Sequence, residues 1–84
     1  MNRWIDELAA AFGEDALSDA ETGRLLGVSR EVAHRVERKV TPLAAFVLGL
    51  DVARRVAEGE ERDVAIGHAI EQVEGLIPPA PDHG

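Results

Sequence analysis

The sequence predicts an all-α fold: a compact four-helix bundle with a central, apolar third helix. Three observations carry this. Apolar residues recur at spacings of three and four in four separate stretches. β-Branched residues never alternate with polar ones, and no Asn-Gly or Asp-Gly hairpin signal occurs. With 84 residues, 45% of them apolar, there is material for one small domain and no room for two.

The first helix is predicted from about Asn2 to Phe12. Trp4, Ile5, Leu8, Ala11 and Phe12 share one face, Asn2 is the N-cap and Gly13 the C-terminal stop. It holds the only Trp and one of the two Phe, so it is expected to close the core as a lid. The second helix opens with Ser18-Asp19-Ala20-Glu21, a capping box in which the hydroxyl and the carboxylate each satisfy an orphan amide. Leu25, Val32, Val36 and Val40 continue it as one stripe, joined by Leu26 and Ala33. The stripe stays in phase across Gly27, which predicts one helix from about Asp19 to Lys39. Glycine in a helix interior costs roughly 1 kcal/mol relative to alanine, so a break at Gly27 is the competing reading.

Thr41-Pro42, a cap residue followed by proline in the first turn, opens the third helix. Its Leu43–Leu50 stretch is apolar all round, the mark of an enclosed helix. Arg54, Arg55 and Glu58 mark its return to water and Gly59 its end. The fourth helix spans about Glu61 to Ile77 on a stripe of Ile66, Ala69, Ile70, Val73 and Ile77. Residues 1–77 are thus one helical domain, and 78–84, with Pro78, Pro79 and Pro81, a disordered Pro-rich tail.

The formal net charge is −7, but it is unevenly spread. Residues 1–20 carry −4, residues 21–42 carry +2 and residues 43–84 carry −5. All the positive excess lies on the second helix. There Arg30, His34, Glu37, Arg38 and Thr41 follow the three–four spacing opposite Val32 and Val36. Arginine forks, a titratable imidazole and one carboxylate make a set able to hold a phosphate or carboxylate. The same residues also read as a solvated face with exposed ion pairs worth a few tenths of a kcal/mol each.

Other chemistries find less support. The absence of cysteine excludes disulfides, thiolate zinc sites and a Cys nucleophile. His34, His68 and His83 lack metal-ligand spacing, so no metal is expected. Ser18 is used as a cap, Ser29 borders the apolar stripe, and Gly13, Gly23 and Gly27 are too scattered for a phosphate loop. No catalytic residue and no cofactor is assigned, and the chain is not expected to be an enzyme. Asp51, set among apolar residues, needs a cation or amide donors if buried, and Arg54 and Arg55 lie next to it. No apolar run reaches the roughly 20 residues of a membrane span, and no basic-then-apolar leader is seen, which makes the cytoplasm the default location.

The string Leu25-Leu26-Gly27-Val28-Ser29-Arg30 has the wording of a helix-turn-helix turn, with residues 21–38 as the candidate DNA-binding unit. Against it stand Gly23 at the small-residue packing position and an apolar anchor out of phase at Val32. The acidic remainder of the chain also repels a polyanion. Nucleic acid is therefore not the favoured partner.

Residues 30–43, Arg-Glu-Val-Ala-His-Arg-Val-Glu-Arg-Lys-Val-Thr-Pro-Leu, followed by Phe46-Val47-Leu48-Gly49-Leu50, carry a resemblance. With the opening Trp4-Ile5 and the closing amphipathic helix, about residues 3–77 resemble a small bacterial all-helical domain of unknown function. That domain is found alone or fused to the molybdenum-cofactor guanylyltransferase, molybdopterin-guanine dinucleotide biosynthesis protein A. The family often has proline where this chain has Lys39, and a non-glycine helix former near Gly27. The resemblance implies a non-catalytic accessory module beside molybdenum-cofactor biosynthesis. Such a module would dock a cofactor-biosynthesis enzyme or an anionic ligand, and the face to test is Arg30, His34, Glu37 and Arg38. The alternative is a helix-turn-helix regulator. A third class is a homodimer, using the apolar excess around Val47 and Leu50.

Overall fold

The computed structural model describes residues 3–79. Asn2, read above as an N-cap, and residues 80–84 of the Pro-rich tail, with His83, lie outside the described residues. The chain forms α1 (Arg3–Ala11), α2 (Asp19–Arg35), α3 (Thr41–Ala57) and α4 (Arg62–Leu76), with a 3₁₀ turn at Arg38–Val40 between α2 and α3. No strand occurs among the described residues, and the architecture is an all-α four-helix bundle.

The helix ends follow their local chemistry. At the start of α2 the Glu21 amide donates to Ser18 Oγ at 3.0 Å, and the Ser18 amide donates to Glu21 Oε1 at 2.8 Å, closing the capping box. Gly13 (φ +72°) and Gly59 (φ +109°) stop α1 and α3 in the left-handed region, where a side chain would be strained. Each stop is a full Schellman motif. Gly13 and Glu14 donate to the carbonyls of Ala10 and Ala9, and Gly59 and Glu60 to those of Val56 and Arg55.

α2 runs through Gly27 without a break, but it ends at Arg35, one turn short of Lys39. Pro42 keeps α2 and α3 from merging into one helix. It has no N–H for the Arg38 carbonyl, and its ring would strike that carbonyl in a continuous helix. The chain resets ahead of it. Val36 and Glu37 both donate to the Val32 carbonyl, Glu37 turns extended (φ −166°, ψ 138°), and Thr41 N–H takes the Arg38 carbonyl. Thr41 is then the first residue of α3 rather than its cap, and its hydroxyl is buried without a partner.

Two packing expectations are corrected. α4, not α3, supplies most of the buried residues of the pair. Ala65, Ile66, Ala69 and Ile70 are buried, Ala65 completely, whereas Leu48 is the only buried residue of α3. Small Ala65 and Ala69 let both α2 and α3 approach the α4 backbone, and α4 packs against each. The core is Val28, Leu48, Ile66, Ala69 and Ile70, flanked by Leu25, Val52, Val73 and Ile77. Nor does α1 close this core. Among the described residues its backbone runs close to none of the other helices, and Trp4 and Phe12 are 63% and 73% exposed.

Candidate interaction surfaces

The segment joining α1 to the bundle is held by Arg62, at the first turn of α4. Its Nε and Nη2 donate to the two carboxylate oxygens of Glu21 at 2.9 and 2.8 Å. Nη1 and Nη2 also donate to the carbonyls of Asp15 and Ala16, both at 2.8 Å. Glu21 is buried, yet these hydrogen bonds from Arg62 outweigh its burial and hold its carboxyl below the usual glutamate range. One guanidinium thus ties the linker, the start of α2 and the start of α4 together. With the Schellman motif at Gly13, it fixes where α1 leaves the bundle. Sequence reasoning identified Glu21 only as a capping residue and passed over Arg62, because no local pattern links residues 41 positions apart.

The predicted cationic face is only partly assembled. Arg30 and His34 lie on α2 and border a shallow depression with Glu31 and Arg35. There Arg35 is directed to Glu31, Nε to Oε2 at 3.4 Å. Glu37 lies in the extended step after α2 and Arg38 in the 3₁₀ turn, so the helical spacing that placed them beneath His34 does not apply. All four predicted residues are exposed. Residues 21–35 are one helix, so the helix-turn-helix read in residues 21–38 is not formed. Asp51 is half-buried and held within α3, accepting from Arg54 at 2.6 Å and from Arg55 at 2.7 Å. The hydrogen bonds from Arg55, then Arg54, keep its carboxyl below the usual range. Among the described residues no cluster of His, Asp or Glu suits a metal ion, and no helix is long and apolar enough to cross a membrane.

The most extensive surfaces are apolar. α3 has two apolar sides: Ala44, Leu48 and Val52 turn toward α2 and α4, while Leu43, Phe46, Val47 and Leu50 are each more than half exposed. Between α2 and α3 an apolar groove of about 300 Å³ is walled by Leu25, Val28, Val32, Ala44, Leu48 and Val52. That is the lower edge of small-molecule pockets, and its one charged wall residue, Arg62, is already committed to Glu21 and the linker. The groove offers little for recognising an anion.

The fold and these surfaces define a small helical module that presents apolar helix faces outward. No curated protein and no solved structure matches the chain. Residues 1–83 match the model of the family described as "Domain of unknown function (DUF6457)", and the chain belongs to that family.

Proposed function

We propose that this chain is a non-catalytic interaction module whose docking element is α1. One observation carries the reading: α1 is a nine-residue amphipathic helix whose backbone runs close to no other helix among the described residues, and whose Phe12 is 73% exposed. Helices shorter than about 12–15 residues are marginal in water without tertiary support. Here the apolar face is covered only in part, with Ile5 and Leu8 half-buried and Phe12 exposed, so a partner is a natural source of further support. Asp6 and Glu7 on the opposite side, then Glu14 and Asp15, suit an apolar groove with a basic rim. The resemblance stated above supplies the partner class, a molybdenum-cofactor biosynthesis enzyme. Anion binding by Arg30, His34 and Arg38 has weaker support, because Arg38 stands off the helix that carries the other two.

Trp4 is the only tryptophan and reports on α1 directly. Titration with molybdenum-cofactor guanylyltransferase should shift its emission to the blue, saturably, at or below about 100 µM partner. Leu8→Glu should abolish the shift, and Arg38→Ala should leave it unchanged. Absence of a shift overturns docking through α1. In that case, calorimetric heat with GTP that disappears in Arg38→Ala would install the anion-binding reading instead.

A further inference from the structure

We propose that the outer face of α3 pairs antiparallel with α3 of a second copy of this chain, forming a two-fold dimer. The surface is distinct from α1, so the proposal stands apart from the docking reading above.

The outward residues of α3 are Leu43, Phe46, Leu50, Ala53 and Ala57, spaced three and four apart, with Val47 alongside. Phe46 is 68% exposed and Leu43 64%. This is the spacing of a helix–helix seam, on the side away from the core. α3 is apolar around most of its surface because it carries two seams, of which the bundle covers one.

Two gradients along α3 name the occupant. The first is bulk: Leu43, Phe46, Val47 and Leu50 fill the N-terminal half, and Ala53 and Ala57 the C-terminal half. Antiparallel pairing sets the large half of one copy against the small half of the other, so the two faces interdigitate. Parallel pairing sets large against large and leaves a gap at the other end. The second gradient is charge. Exposed Arg38 and Lys39 precede α3, with Glu37 beside Lys39 at 3.8 Å, and exposed Glu58 and Glu61 follow it, Glu60 being half-buried against Arg55 and His68. Arg54, between them, is already matched by Asp51 and Glu58. Antiparallel pairing brings the basic end of each copy to the acidic end of the other, twice. A surface whose bulk and charge both reverse along its length is complementary to its own two-fold image, which is the requirement of an isologous interface. A helix of 17 residues gives a seam of about 25 Å, at the small end of specific interfaces, so association in the micromolar range is expected.

Sedimentation of the intact chain in physiological salt, from about 5 to about 500 µM, should pass from one chain mass to two. Phe46→Glu should weaken association by about a hundredfold or more, since a carboxylate would be buried in the seam. Its position in solvent leaves the fold intact, which helical circular dichroism verifies. Arg38→Glu should weaken association by about tenfold, and adding Glu58→Arg should restore it. Because the chain has no cysteine, orientation can be read by cross-linking. Leu43→Cys mixed with Ala57→Cys should form a disulfide-linked dimer, and neither variant alone should do so. A monomer at every concentration, a dimer indifferent to Phe46→Glu, or self-cross-linking of Leu43→Cys each overturns the proposal.

Discussion

Arg62 is the side chain on which most of the polar structure converges. It donates to both oxygens of the buried Glu21 carboxylate and to two linker carbonyls. Removing it strands a charge in the interior, so Arg62→Ala is expected to lower unfolding free energy by about 2–3 kcal/mol in urea titration. The pair also sets an acid limit. Glu21 in the folded chain ionises more readily than its ordinary value of 4.5, because Arg62 hydrogen-bonds the charged form. Its contribution is therefore complete above that ordinary value and is lost as pH falls through the lower folded value. Stability measured against pH should decline in this acid window, and Glu21→Gln should flatten that decline while lowering stability at neutral pH.

At the scale of the elements, the sequence was most readable where a residue acts on its own neighbours. Ser18 and Glu21 announce a helix start, Gly13 and Gly59 announce stops, and all four do so in the structure. Gly27 lies inside α2, and beyond its chain neighbours and its own helix backbone no heavy atom lies within 4 Å of where its Cβ would sit. Gly27→Ala should accordingly raise the thermal midpoint, with a gain of up to about 1 kcal/mol. The valine stripe continues to Val40, past the end of α2 at Arg35, and so overstates the length of the helix. The same stop takes Glu37 and Arg38 off the helix that carries Arg30 and His34. The centre of the bundle was misassigned for a related reason. An all-round apolar pattern cannot separate a helix buried on every side from one with an apolar face in solvent, and α3 is the latter. α4 gave the weaker apolar signal, because alanines at 65 and 69 look unremarkable in a sequence yet allow close approach from two sides.

Across the whole molecule, apolar surface is divided between a small core and faces turned outward. Among the described residues seven apolar residues are buried, whereas eleven large ones remain exposed. Substitutions should therefore separate by location rather than by residue type. Ile66→Ala, in the core, should cost about 2–4 kcal/mol, whereas Phe46→Ser should change stability by less than about 0.5 kcal/mol at concentrations where the chain is monomeric. Comparable losses at the two sites, measured by denaturant unfolding, would mean that the outer face of α3 is covered within a single chain.

The joint at Gly13 and Arg62 links two properties that are usually separate. The carboxylate that anchors Arg62 helps secure the folded bundle and, through the carbonyls of Asp15 and Ala16, the attitude of the projecting N-terminal arm. A single proton on Glu21 would loosen both. Acid would weaken the hold on the arm and on the body together, so the reach of this handle and part of the durability behind it share one titration.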